Sequence, residues 1–241
     1  MKVPDALPYP VLFITVSGAH LYGFPSEDSD WDLRGVHVVP TAALTGLDRV
    51  EETIKIEEGE TDLVTHEARK FFRFLLRDNG YVLEQLYSPL VLSTTPEHEE
   101  LKHIARGCVT RTCVRHYLGF AANQWQLFEG HSPRRVKPLL YVFRVLLSGI
   151  HMMRTGTVNA NLPECNREIG LPYIDALIER KRTGGERGVL TAPDVAFYGS
   201  EYERLRTLLV EASERSALPD TPTARPALSD LLQRIRSGAY R

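Results

Sequence analysis

Asp30 and Asp32 stand two residues apart in the run Ser29-Asp30-Trp31-Asp32-Leu33. In a β-strand alternate residues share a face, so the two carboxylates point the same way while Trp31 and Leu33 point into the sheet. Like charges on one face repel, which makes the pair a poor structural choice unless a cation offsets it. Hard carboxylate oxygens suit Mg²⁺ (or Mn²⁺), which completes its shell with water and substrate phosphates. Twelve residues before Asp30, Gly18 follows an apolar run in Ser17-Gly18-Ala19. Backbone N–H groups at such a turn can cradle a triphosphate that shares the metal with the aspartates. Phosphoryl transfer is mostly positioning and charge stabilisation, so a cradle beside metal carboxylates is what it needs. A D-x-D alone is common on surface strands; the upstream glycine turn gives this one its weight.

With their neighbours these two parts resemble a known signature. Ser17-Gly18-Ala19-His20-Leu21-Tyr22-Gly23, then Ser29-Asp30-Trp31-Asp32-Leu33-Arg34-Gly35, is similar to the S-G-S-x-x-Y-G … S-D-x-D-x-R-G pattern of a bacterial branch of DNA polymerase β-like nucleotidyltransferases. Some members of that branch are encoded beside RNA-repair ligases. The resemblance continues at Asp62, Asn79 and Leu83-Glu84, returns at Lys137, Arg144 and Gly149, and covers roughly residues 10–156.

The resemblance implies metal-dependent transfer of a nucleoside monophosphate from an NTP substrate to a hydroxyl acceptor, with release of pyrophosphate. Asp30, Asp32 and Asp62 would be the catalytic and metal-binding carboxylates, Asp62 being the base or ligand that prepares the acceptor hydroxyl. Ser17, Gly18, Ala19 and Ser29 would bind the nucleotide. Ala19 departs from the pattern, which has serine there. Its backbone N–H survives, but the hydroxyl that would bond the triphosphate is gone. Read without the resemblance, Asp62 is one acid in an alternating strand, Thr61-Asp62-Leu63-Val64, near Glu57, Glu58 and Glu60. Glu60 faces the same side and is the fallback.

Further along, Lys137, Tyr141, Arg144, Ser148 and His151 fall at helical spacing and form a polar stripe on an otherwise apolar helix. Lys137, Tyr141 and Arg144 are candidates to clamp phosphates; a solvated helix face is the plain alternative. His103, Cys108, Cys113 and His116 do not match the ligand spacing of a zinc finger or knuckle, and the two cysteines read as small apolar residues.

These residues need a scaffold. Val11–Val16 reads as a buried strand, Trp31 to Val39 as a second, and Arg49–Ile56 and Glu60–Thr65 as two more. Ala68, Phe71, Phe72, Leu75 and Leu76 repeat at helical spacing from Glu67, with Asn79-Gly80 as a plausible stop. After Pro96 the pattern turns helical, and Pro138 opens a long helix. Ser200 with Glu203 reads as a capping box. Residues 155–170 and 183–198 read as loop-rich, and 217–226 as a Pro-rich linker to a last short helix. Strands first and helices later imply an α+β class: a polymerase β-like mixed sheet with flanking helices over residues 1–100, then a helical substrate or nucleotide clamp over 101–241.

Composition bounds this reading. The chain has 241 residues, 43% hydrophobic and 25% charged, and a net charge of −2. Residues 1–64 carry twelve acids against four Lys/Arg, and residues 101–154 carry nine Lys/Arg against one acid, Glu129. Such opposed halves suit a site gripping metal cations on one side and a polyanion on the other. The basic segment with Tyr117, Trp125 and Tyr141 suits an RNA end as acceptor, and a protein side chain or a small molecule with hydroxyls would also fit. No run of eighteen apolar residues is present, which predicts no membrane partner. Three scattered cysteines fit a reducing cytoplasm. A catalytically inactive nucleotide- or nucleic-acid-binding module of the same fold is the alternative, motivated by Ala19. A D-x-D glycosyltransferase would leave the glycine turn unexplained. Restoring the hydroxyl tests the turn directly: Ala19→Ser is expected to tighten Mg²⁺-NTP binding, by about 1.5–3 kcal/mol at most for one bond to a charged phosphate. Isothermal titration of both forms measures it, and weaker binding in the variant would mean a turn of different shape.

Overall fold

The computed structural model of the chain describes residues 7–130, 132–184, 190 and 192–239. In chain order its elements are β1 (Val11–Val16), α1 (Gly18–Tyr22), β2 (Trp31–His37), α2 (Thr41–Thr45), β3 (Thr53–Glu58), β4 (Thr61–Glu67), α3 (Ala68–Leu75), α4 (Gly80–Leu86), β5 (Val91–Thr94), α5 (Pro96–Ala105), α6 (Val114–Gly130), α7 (Val136–Thr155), α8 (Leu162–Ile169), α9 (Tyr173–Gly184), α10 (Ala192–Glu214) and α11 (Arg225–Arg234). They fall into two compact units. One holds the described residues through Gly18, Asp30–Val109, and those from Thr221 on; the other holds Ala19–Ser29 and Thr110–Asp220. The expected division at residue 100 differs from this partition in three respects, the first being that residues 101–109 group with the sheet. Residues 19–29 group with the helices, and the C-terminal helix groups with the sheet.

The first unit is a mixed five-stranded sheet in the order β3-β4-β2-β1-β5. β1 pairs antiparallel with β2 and β5, β3 antiparallel with β4, and β2 parallel with β4. The continuous apolar run of β1 follows from cover on both faces. Ile14 and Val16 join Leu33 and Leu63, with Trp31 and Ile56 packed against them. Phe13 faces the other way, edge-on to Phe71 of α3 and stacked on His98 of α5 at 4.2 Å between ring centroids. The α+β class is therefore as the sequence predicts. β5, a short and mostly exposed edge strand, has no counterpart in the sequence reading.

Two helix boundaries differ from expectation. Asn79-Gly80 does not merely stop a helix: the Asn79 side chain accepts hydrogen bonds from the Tyr81 and Val82 amides and caps the start of α4. Ser200 and Glu203 do not start one either. Both lie inside α10, and the Ser200 hydroxyl donates back to the Ala196 carbonyl. At the C-terminus, Arg236 donates to Glu67 Oε1 at 2.6 Å and to the Val39 carbonyl at 3.0 Å. Glu67 caps α3 through its other oxygen, so this C-terminal segment closes on the sheet.

The second unit is helical. α7 has the length and hydropathy of a bilayer span, but α6, α8, α9 and α10 all pack on it and fourteen of its residues are buried. It is a core helix. The stretch 155–170, expected as loop, contains α8, which Asn161 caps and Gly170 ends in the left-handed conformation. α9 follows, also unforeseen. Part of 183–198 lies outside the described residues.

Three histidines of the first unit are held neutral. His37 is buried, shares a hydrogen bond with Thr65 Oγ1 and stacks on Tyr9. Burial, helped by His66, lowers its pKa to about 4. Burial and Lys70 lower that of His66 to about 4, and burial and Lys102 do the same for His98. A base whose folded pKa is depressed binds fewer protons folded than unfolded below its ordinary pKa, so stability falls with pH. The loss begins near pH 6.5 and runs toward pH 4. For fully buried His98, linkage gives roughly 1–2 kcal/mol between pH 7 and 5. Urea unfolding at both pH values should show the loss, and His98→Gln should flatten the slope relative to wild type.

Candidate active site

The backbone brings the predicted residues of the first unit together in steps. β1 ends at Val16, and the Ser17 amide donates to the Asp32 carbonyl at 2.7 Å, which ties the turn to β2. Gly18 has φ +62°, and a Cβ placed on it would lie 1.9 Å from Asp32 Oδ2. Glycine is required there twice over, by the left-handed conformation and by the approach of backbone to carboxylate. Ser17 is buried, and its hydroxyl has no hydrogen-bond partner among the described residues. Asp30 lies exposed just before β2. The next amide, of Trp31, donates to the Glu60 carbonyl at 2.7 Å and fixes the entry of β2 beside β4.

Parallel pairing of β2 with β4 sets Asp32 opposite Asp62. Both side chains are about one-third exposed, at 30% and 36%. Glu60, the fallback, is exposed in the turn before β4 and has no such partner position. Arg34, two residues beyond Asp32 on β2, turns back over both carboxylates. Its Nη2 donates to Asp32 Oδ1 at 2.8 Å and to Asp62 Oδ2 at 2.9 Å. Its Nη1 donates to the carbonyls of Leu33 and Asp62, and its Nε to the Tyr81 hydroxyl. Burial works against its charge, but Tyr81, Asp32 and Asp62 outweigh burial and raise its pKa, so the guanidinium stays charged.

Among the described residues no group of three or more His, Cys, Asp or Glu is gathered into a metal cage. The donor set nevertheless fits Mg²⁺, which is commonly held by one or two carboxylates together with substrate phosphates. At the glycine turn bare backbone lies directly against the Asp32 carboxylate, and Ser17 keeps a buried hydroxyl in that turn.

The second unit shapes the loop from Ala19 to Ser29. Ala19 is buried in α1. At the far end, the Ser29 amide donates to the Ser26 carbonyl and the Ser26 amide to Ser29 Oγ, both at 3.0 Å. Lys181 of α9, fully buried, donates to Ser26 Oγ at 2.8 Å and to Ser29 Oγ at 3.3 Å. In the middle, the Arg144 guanidinium lies 4.0 Å over the Tyr22 ring, and Tyr141 meets Tyr22 and Phe24 edge-on. The polar stripe on α7 is thus not a solvated face: Arg144 and Ser148 are 2% and 1% exposed. Lys137 sits half-buried in the first turn of that helix. Cys108 and Cys113 are buried.

Arg34, Tyr81 and Lys181 were missed by the sequence reading. Arg34 lies in the S-D-x-D-x-R-G stretch and shares a strand face with Asp32, so its spacing is a usable signal. Lys181 is 152 residues from Ser29 and gave none.

A family model described as RNA repair pathway DNA polymerase beta family matches residues 2–234. Uncharacterized protein MJ0002 of Methanocaldococcus jannaschii is 34% identical over 149 residues, which make up 60% of this chain and 61% of that protein. Uncharacterized protein YcgL of Bacillus subtilis is 27% identical over 208 residues, 81% of this chain and 79% of that protein. The match thus spans less than two thirds of the archaeal protein.

Removing the ammonium tests the loop. Lys181→Met keeps the apolar stem but withdraws the charge-assisted bonds to both serines. Amide hydrogen exchange at Ser26 and Ser29 is expected to rise roughly tenfold, the equivalent of ~1.4 kcal/mol. Exchange in β1 and β2 should stay put. Unchanged protection at both serines would show that the turn holds itself.

Proposed function

Because this chain belongs to the RNA repair pathway DNA polymerase beta family, we propose that it is a metal-dependent nucleotidyltransferase that moves a nucleoside monophosphate from an NTP to a hydroxyl acceptor, an RNA end being the acceptor class. The observation that carries this reading is the parallel register of Asp32 with Asp62 next to the glycine turn at Gly18. In support of this reading, it sets two carboxylates side by side next to a bare backbone turn.

In this reading Asp30, Asp32 and Asp62 hold Mg²⁺ or Mn²⁺. The bound cation would supply charge neutralisation at the phosphates and at the leaving oxygen. Gly18 and the neighbouring amides, with the Ser17 hydroxyl, cradle the triphosphate, and Ser29 borders it. Lys137, Tyr141 and Arg144 support nucleotide or acceptor binding, Arg144 and Tyr141 through the side chains of the loop they stack on. Asp62 takes the proton of the acceptor hydroxyl as that oxygen bonds to the α-phosphorus. The bond from the α-phosphorus to its bridging oxygen breaks, and pyrophosphate leaves. RNA as acceptor is supported by the family's description and by the basic stretch 101–154. Ala19 weakens the cradle by one hydroxyl without removing it.

The test is a paired measurement on one preparation: NTP affinity by calorimetry and single-turnover pyrophosphate release, with RNA, DNA and protein acceptors. Asp30→Asn and Asp32→Asn should lose metal-dependent NTP binding and transfer together. Asp62→Asn should keep near-normal Mg²⁺-NTP affinity while its rate falls by about 10²–10⁴, the usual worth of a general base. Wild-type protein that binds Mg²⁺-NTP but releases no pyrophosphate with any acceptor would make the chain a binding module.

A further inference from the structure

Arg34 places one cationic nitrogen between two carboxylates that neighbouring strands hold in register. Its Nη2 lies 2.8 Å from Asp32 Oδ1 and 2.9 Å from Asp62 Oδ2. The other guanidinium nitrogens are spoken for, by two main-chain carbonyls and by the Tyr81 hydroxyl at 3.1 Å. Tyr81 in turn sits in the first turn of α4, whose start Asn79 fixes. The side chain is only 12% exposed. A surface ion pair would not need this many constraints. Five hydrogen bonds fix the plane of the guanidinium, and the plane fixes which oxygen of each aspartate it occupies. Two carboxylates held side by side by the strand register repel, and a positive charge between them offsets that repulsion.

We propose that Arg34 is a positioning residue of the transfer reaction: it bridges Asp32 and Asp62 by one oxygen each, so that both carboxylates are held in register before metal and nucleotide arrive. The proposal rests on the nucleotidyltransferase reading above. Lysine cannot replace the arginine. It brings a point charge, without the planar fork that spans two carboxylates and two carbonyls. Uncharged glutamine at this position leaves two facing carboxylates without their bridging cation, and added metal is then the replacement charge.

The experiment compares wild type, Arg34→Lys and Arg34→Gln as full chains. Thermal midpoints are read in EDTA and again with Mn²⁺ and a non-hydrolysable NTP, alongside single-turnover transfer. Arg34→Gln is expected to have a lowered midpoint in EDTA and a larger rise on adding Mn²⁺-NTP than wild type shows. Arg34→Lys should recover most of the midpoint in EDTA but not the rate. Its transfer should stay about 10²-fold down, the size of effect that a small misplacement of a reacting group produces, with KM for NTP little changed. A purely structural ion pair would give Arg34→Gln the same metal-induced rise as wild type, and the proposal falls. It falls equally if Arg34→Gln transfers as fast as wild type or faster, which would make the arginine a competitor for the metal site. Failure of the underlying reading looks different, because wild type itself would then show neither the Mn²⁺-NTP shift nor transfer.

Discussion

The parallel pairing of β2 with β4 is the constraint on which the rest of the candidate site depends. Strands in a sheet lie roughly 4.8 Å apart, and matched positions on a parallel pair send their side chains to the same face. Once Trp31 enters β2 opposite Thr61, Asp32 must stand beside Asp62. The sheet therefore imposes a like-charge contact that hydrophobic burial of Leu33 and Leu63, one residue further along each strand, will not let relax. Sliding the register by one would carry those leucines out of the core. The apolar side of the sheet thus fixes the electrostatics of its polar side, and Arg34 is the response built into the same strand.

The glycine turn answers to the same geometry. β1 is antiparallel to β2, and Val16 pairs with Leu33. The chain leaving β1 must consequently pass over Asp32, and the Ser17 amide bonds its carbonyl on the way. There is no space for a side chain at Gly18 because the carboxylate of Asp32 already fills it. What reads in the sequence as two motifs twelve residues apart is, in the folded unit, one contact between a bare backbone turn and an acid.

The sequence shows this much of the fold because the relevant forces are local. A six-residue β-branched and apolar run makes β1, and the spacing of Phe71, Phe72 and Leu75 makes α3. The aspartates were found because strand alternation and the resemblance pointed to the same residues. What stayed hidden depends on partners far along the chain. The Tyr81 hydroxyl that orients Arg34 is 47 residues away, and nothing in the intervening sequence links the two. β5 is an exposed edge strand without a buried alternation to betray it. α8 and α9 carry Pro163, Gly170 and Pro172 at their boundaries, which read as loop while marking helix starts and stops. The polar stripe on α7 was legible as a stripe, but periodicity cannot tell a face turned to water from one turned to the aromatic rings of Tyr22 and Phe24. Burial of Arg144 settles that question in favour of the rings.

That last point bears on how the loop from Ala19 to Ser29 is held. A buried guanidinium has to recover part of its lost hydration, and stacking over an aromatic face does so while leaving the plane of the group fixed. Lys181 recovers its share from the hydroxyls of Ser26 and Ser29. Two buried cations of the second unit therefore grip the two halves of one loop, Arg144 at Tyr22 and Lys181 at the serine turn. Ala19 follows Gly18 and Ser29 precedes Asp30 along the backbone. Each end is one peptide bond from a residue on which the proposed chemistry relies. Substitutions at Arg144 or Lys181 should accordingly be read as changes in the placement of that loop first, and as losses of positive charge only second.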